Sequence, residues 1–135
     1  MNVRVARRYE FPAAHRLHQP ALSDAANAAL YGKCNNPFGH GHNYEVVVVV
    51  KGPADAVTGR AVDLARLDAL SEQQFLQPFR YRDLNREMNA IPTTENLALE
   101  IEQRLRAAWP ADFPALDKIR ILETARNICE VGYEL

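Results

Sequence analysis

Three histidines in this 135-residue chain have the spacing of metal ligands. His40 and His42 lie just before a valine-rich run, and residues two apart on an extended chain point to the same face. His15 ends an earlier extended segment, which a neighbouring strand would bring beside this pair. Neutral imidazole suits zinc, and three protein ligands with an open fourth position are typical of a catalytic zinc site. The sequence therefore predicts one zinc ion on His15, His40 and His42.

Cys34 lies six residues before His40, and its spacing leaves three interpretations open. The pKa of a thiol falls near a dication, so the Cys34 thiolate could be a base or a nucleophile at neutral pH. The residue could also be a fourth zinc ligand, or simply a small buried side chain. Cys129 is predicted to lie in the core. His18, the one remaining histidine, is predicted to lie in a surface loop.

Glu123 continues the apolar face of a predicted strand, because it shares strand parity with Ile119 and Ile121. A buried carboxylate there would need a partner, and a ligand with a guanidine-like pair of donors could supply one. The alternative is that Glu123 ends the strand in solvent.

A small set of strands and helices must position these residues. Alternation and β-branched runs predict strands over 2–15, 43–51, 60–62, 118–124 and the tail from Ile128 to Glu134. Helical spacing and capping residues predict helices over Ala25–Leu30, from Asp63 to about Pro78, and from the Thr93 cap to about Trp109. One domain spanning residues 1–135 fits this length.

Composition excludes several classes of protein. With 47% hydrophobic and 24% charged residues, the chain is not expected to be disordered. A net charge of -1 gives no overall basic field for nucleic acid or a membrane surface. The longest aliphatic run, Val46–Val50, is too short to span a bilayer, and no secretion signal is recognisable, so a cytoplasmic protein is expected. A chain this small would gain stability from oligomerisation.

Five segments in order resemble the 6-pyruvoyl-tetrahydropterin synthase family, which includes the 6-carboxytetrahydropterin synthases of queuosine biosynthesis. They are FPAAH at 11–15, GKCNNPFGHGHNY at 32–44, VTGRAVDLARL at 57–67, PTTEN at 92–96 and ET at 123–124. The five residues between Cys34 and His40 are more similar to the tetrahydrobiopterin branch than to the queuosine branch, which usually has a shorter gap. The resemblance implies an α+β T-fold, or tunnelling fold: a four-stranded antiparallel sheet with two helices on one face. It also implies an oligomeric barrel, assembled as a homohexamer from two trimers.

The resemblance further implies a carbon-oxygen lyase that converts 7,8-dihydroneopterin triphosphate to a 6-substituted tetrahydropterin with loss of triphosphate. The zinc ligands of the family match His15, His40 and His42, its general base matches Cys34, and the residue that anchors the pterin ring matches Glu123. Thr93, Thr94 and Glu95 match a segment near the pterin pocket, although helix capping alone would explain them.

One departure concerns proton transfer. Where the family has an Asp-His pair in a segment such as PLDHKNL, this chain has Arg80 and Tyr81. A phenol is poorly matched to shuttling protons at neutral pH, while Arg80 and Arg82 could hold phosphate or be solvated surface residues. We therefore expect a zinc-dependent pterin enzyme with an altered product or a reduced rate. The alternative is a catalytically impaired paralogue that still binds zinc and a pterin.

Overall fold

A single antiparallel sheet organises the chain, whose structure, a computed structural model, describes residues 1–133. The strands are β1 (Val3–His15), β2 (His40–Gly52), β3 (Ala115–Leu122) and β4 (Ile128–Gly132), and they lie side by side in chain order. The helices are α1 (Asp24–Tyr31), α2 (Leu64–Ser71), α3 (Leu84–Glu87) and α4 (Thr94–Ala107). The two main helices, α2 and α4, pack on one face of the sheet, which is the predicted α+β T-fold subunit.

The core lies between this face and the helices. Every second residue of β2 from Tyr44 to Val50 is buried, as are Leu97, Ile101 and Leu105 of α4. Strand alternation with a period of two and helix spacing of three to four residues turn these side chains towards each other. Cys129 packs against the same cluster, as predicted.

Both main helices begin at the predicted caps. The Asp63 side chain accepts a hydrogen bond from the Arg66 N–H, and the Thr93 hydroxyl accepts one from the Asn96 N–H. After α2 the chain continues through one π-helical turn, Glu72–Leu76, and a last helical turn, Gln77–Phe79. The predicted end near Pro78 is therefore close to the observed one.

None of the helices within residues 1–133 combines the length and the apolar composition needed to cross a membrane.

Three of the predicted strands differ from the structure. The strand predicted over 43–51 is longer and runs from His40 to Gly52. The return strand at 60–62 is wrong: both edges of β2 are taken by β1 and β3, and Asp55 instead closes a turn by accepting from Val57 and Thr58. The strand predicted over 118–124 begins earlier and ends at Leu122, where the chain turns and the Glu123 N–H donates to the Asn127 carbonyl. The predicted end of the last strand, Glu134, lies outside the described residues.

Residues 81–83 run along the outer edge of β1. The Tyr81 N–H donates to the Pro12 carbonyl at 2.7 Å, and the Ala14 N–H donates to the Arg82 carbonyl at 3.0 Å. These bonds satisfy the end of an otherwise open edge strand and fix the path of the chain between α2 and α3.

Ile101→Ala should lower the free energy of unfolding by about 2 to 5 kcal/mol, because it opens a cavity between α4 and the sheet. The matched control is Leu99→Ala on the same helix, whose side chain is 54% exposed. That control should change the unfolding free energy by less than about 0.5 kcal/mol. Urea denaturation at one protein concentration measures both, and equal losses would contradict the packing described.

Candidate metal centre

Pairing of the ends of β1 and β2 brings two of the predicted ligands into contact. His15 pairs with His40 and Ala13 pairs with His42, so all three histidines lie on the helix-covered face of the sheet. His15 is buried, and its Nε2 lies 3.1 Å from His42 Nε2. The turn that leads into β2 fits closely over His15: Gly39 has a φ of 83°, and a side chain there would lie 3.3 Å from the His15 carbonyl oxygen.

The hydrogen bonds of His15 fix its tautomer. Its Nδ1 lies 2.9 Å from the Pro92 carbonyl oxygen, which can only accept, so Nδ1 carries the proton. The Tyr44 hydroxyl lies 3.0 Å from the same nitrogen. The unprotonated Nε2 therefore faces His42, which is the orientation that bound histidine ligands take in metal sites.

Cys34 reaches the two histidines from the turn that follows α1. Its Sγ lies 4.0 Å from His42 Nε2. The Leu17 N–H donates to the Cys34 carbonyl at 2.7 Å, and Asn35 donates back to the Leu17 carbonyl at 2.7 Å. These bonds tie the turn to the chain just beyond β1, so Cys34 is held near the site. Burial raises the pKa of the Cys34 thiol, and the charge of Glu123 raises it further.

Glu123 approaches from the end of β3. The last β2–β3 pair is Glu45 with Leu122, so the next position on the same register faces Tyr44 on the core side. The Glu123 side chain is 11% exposed, and its Oε1 lies 3.6 Å from His42 Nε2. The alternative that Glu123 ends the strand in solvent is therefore wrong.

His15, Cys34, His42 and Glu123 together form what we call the donor cluster. Their nitrogen, sulfur and oxygen atoms all lie within 4.8 Å of one another. A tetrahedral ion with bonds of about 2.0 to 2.3 Å holds neighbouring ligand atoms about 3.3 to 3.8 Å apart, so the widest separations in the cluster would have to shorten for all four residues to bind one cation. Burial lowers the pKa of His15 and His42, although Glu123 opposes the shift, and neutral imidazoles are the form that binds metal.

His40 lies at the edge of the donor cluster and not within it. Its ring centroid is 4.6 Å from that of His42, with the two rings nearly perpendicular. The role of His40 as a third zinc ligand stays a prediction. His18 is only partly buried, and its Nδ1 accepts a hydrogen bond from Asn35 at 3.1 Å.

Thr93, Thr94 and Glu95 have different roles in the structure. Thr94 is buried and donates its hydroxyl proton to Glu123 Oε2 at 2.6 Å. Thr93 uses its side chain to cap α4, and Glu95 is exposed in the first turn, where an acid favours the helix. Of the three predicted substrate contacts, the structure joins Thr94 alone to the donor cluster by a hydrogen bond within the described residues.

Arg80 forms an ion pair, and Tyr81 is exposed to solvent. The Arg80 guanidinium donates to both carboxylate oxygens of Glu72, at 2.7 and 2.9 Å, which raises the pKa of Arg80 and lowers that of Glu72. Tyr81 is 81% exposed and has a φ of 57°. The idea that Arg80 holds phosphate therefore competes with a well-formed ion pair.

Two clefts reach the donor cluster from outside. One, of about 490 Å³, is lined by residues 12–14, 41–43 and 81–83, including His42. The other, of about 400 Å³, is lined by residues 14–16 and 37–39 together with Asp83 and Asn85, including His15. Both have the size of small-molecule sites. Another cleft, of about 540 Å³ beside residues 60–66 and 112–114, has no member of the cluster in its lining.

Several residues that position the site were not predicted from the sequence. Tyr44 had a usable signal, since it lies two residues after His42 and so on the same face. Asn35, Pro92 and Asn127 act through a side-chain amide or a backbone carbonyl, and no spacing rule points to them.

Known proteins match almost the whole chain. The family model of 6-pyruvoyl tetrahydropterin synthase matches residues 4–134. The 6-pyruvoyl tetrahydrobiopterin synthases of Poecilia reticulata and Homo sapiens are 43% and 42% identical over 128 residues, which cover 92% of this chain and 86% and 87% of those proteins. The structure of Caenorhabditis elegans 6-pyruvoyl tetrahydropterin synthase superposes with a TM-score of 0.90 at 35% identity, covering 99% of this chain and 97% of that one.

His42→Ala should remove most of the divalent cation that the purified protein carries, because His42 Nε2 lies beside His15, Cys34 and Glu123. The wild type should hold about one ion per chain, measured by inductively coupled plasma mass spectrometry. His18→Ala is the control, since His18 is outside the donor cluster. Full metal content in His42→Ala would contradict a cation site here.

Proposed function

Because the chain belongs to the 6-pyruvoyl tetrahydropterin synthase family, we propose that it is a zinc-dependent pterin lyase acting on 7,8-dihydroneopterin triphosphate. The observation that carries the proposal is the contact of His15 and His42 at 3.1 Å beside both Cys34 and Glu123. Metal ligands, a thiol and an anchoring carboxylate are the groups that the reaction needs. The product would be a 6-substituted tetrahydropterin of tetrahydrobiopterin biosynthesis.

His15 and His42 would hold the zinc ion, with His40 as the third ligand. His15 and His40 are directly paired across β1 and β2, and the rings of His40 and His42 are adjacent. This set leaves Cys34 and Glu123 free for chemistry. When bound there, zinc would polarise the side-chain oxygens of the substrate and lower the pKa of the neighbouring thiol.

Cys34 would act as the general base. Its sulfur lies next to His42, so a pterin side chain bound at the metal would present its C–H bonds to the thiolate. Glu123 would accept hydrogen bonds from the amino-pyrimidine edge of the pterin, because a carboxylate matches a pair of N–H donors. The triphosphate would leave from the side chain after proton removal, through the open end of a cleft.

The proton relay differs from that of the family, because Arg80 and Tyr81 replace the Asp-His pair. Arg80 is paired with Glu72, and Tyr81 is exposed, and among the described residues neither has a hydrogen bond to Cys34. These two observations favour a second candidate function, a zinc- and pterin-binding paralogue with impaired catalysis. The two candidates share the binding site and differ in rate.

Wild-type protein should bind 7,8-dihydroneopterin but form the pyruvoyl product about a hundred- to ten-thousandfold more slowly than the human relative, the usual contribution of one acid-base group. Mass spectrometry identifies the product. Replacing Arg80 by Asp and Tyr81 by His should raise the rate. Because Arg80 pairs with Glu72, the variant also carries Glu72→Gln to avoid two facing carboxylates.

The control for this variant combines Glu72→Gln with Arg80→Ala and Tyr81→Ala, which removes the native pair without adding a relay. Wild-type turnover as fast as that of the human enzyme would show that another group already moves the proton. Loss of pterin binding in the wild type would refute the pterin site itself.

We also propose that the chain forms a homohexamer of two trimers. The sheet has β1 and β4 at its edges, and residues 81–83 cover β1 only near Pro12 and Ala14. Closing three sheets into a barrel would pair the remaining edges. Light scattering should give about six times the 15.2 kDa of one chain, and a stable monomer at micromolar concentration would contradict this assembly.

A further inference from the structure

We propose that Thr94 and Asn127 form a clamp that fixes the orientation of the Glu123 carboxylate. Thr94 is then a positioning residue and not a ligand of the substrate. The inference rests on the proposed function, because it concerns the same pterin site, and it assigns a role to Asn127.

The hydroxyl of Thr94 both donates and accepts a hydrogen bond within the protein. A hydroxyl has one proton to donate, and an ionised carboxylate can only accept. Thr94 therefore donates to Glu123 Oε2, at 2.6 Å, the short distance expected when one partner is charged. Asn127 Nδ2 donates to the same Thr94 oxygen at 3.2 Å. Since Thr94 is 2% exposed, neither its proton nor its surface is left for a substrate.

Asn127 closes the arrangement through its backbone. Its carbonyl accepts from the Glu123 N–H at 3.1 Å, and its own N–H donates to the Thr124 hydroxyl at 3.2 Å. The turn after β3 thus holds Glu123 twice, at the main chain directly and at the carboxylate through Thr94. Thr94 itself is fixed as the first residue of α4, whose side chains pack on β3 and β4.

The clamp makes the two oxygens of Glu123 unequal. Oε2 is held by Thr94, while Oε1 lies 3.6 Å from His42 Nε2 and faces the donor cluster. A free glutamate side chain would lose its rotamer freedom when a pterin binds, whereas the clamped one has already lost it on folding. Thr94 therefore raises pterin affinity without touching the pterin.

The test removes the hydroxyl while keeping the shape of the side chain. Thr94→Val should weaken binding of 7,8-dihydroneopterin by about two- to tenfold, because binding must then order a glutamate side chain that the wild type already holds in place. Thr94→Ser, which keeps the hydroxyl, should restore most of that affinity. In a Glu123→Gln background, Thr94→Val should have little further effect, because the group that it positions has lost its charge. Isothermal titration calorimetry measures the wild type and these four variants.

Thr93→Val is the matched control. It removes the hydroxyl that caps the same helix and should lower the melting temperature. Its effect on the binding free energy of 7,8-dihydroneopterin should be the same with and without Glu123→Gln. The clamp would be overturned if Thr94→Val weakened binding equally with and without Glu123→Gln. It would also be overturned if Thr94→Ser weakened binding as much as Thr94→Val.

The failure of the proposed function gives a different result. If the wild type binds no 7,8-dihydroneopterin, the pterin site is refuted. The clamp is then tested by measuring zinc affinity in competition with a chelator. Thr94→Val should then lower zinc affinity only while Glu123 is present, because Glu123 Oε1 lies beside His42. Equal zinc affinities for Thr94→Val and wild type would overturn the clamp by this second readout.

Discussion

The pairing register between β1 and β2 is the constraint on which the rest of the structure depends. It sets His15 opposite His40 and turns both histidines, with His42, towards the helices. A slip of β1 by one residue would move His15 and the buried Phe11 to the other face, away from His42 and Tyr44 of β2. Hydrophobic burial therefore enforces the register, and the proposed metal site depends on that same register.

Burial also explains why the side chains of the donor cluster form so many hydrogen bonds. Polar atoms removed from water must be paired, and here each pairing also selects an orientation. The Pro92 carbonyl selects the tautomer of His15, and Thr94 selects the oxygen of Glu123 that faces His42. Stability and preorganisation of the site are in this sense satisfied by the same contacts.

How much of this was predictable follows from the range of each interaction. Strand parity is local, so the shared face of His40 and His42 and the inward direction of Glu123 could be predicted from neighbouring residues alone. The place of Cys34 depends on hydrogen bonds between Leu17 and the turn after α1, which no periodicity encodes. The false strand at 60–62 failed for a related reason, because sequence patterns do not tell whether a neighbouring edge is free.

Residues 81–83 are attached to β1 through backbone atoms, with the Tyr81 N–H and the Arg82 carbonyl as the contacts. The side chains of Tyr81 and Arg82 are exposed, whereas the Asp83 side chain caps α3 by accepting from the Asn85 N–H. Substitutions at positions 81 and 82 can therefore change the lining of the cleft beside β1 and β2 with little effect on packing. Position 80 is different, because the Arg80 guanidinium pairs with Glu72 and an aspartate there would face that carboxylate. An exchange between Arg-Tyr and Asp-His would therefore be coupled to the residue at position 72.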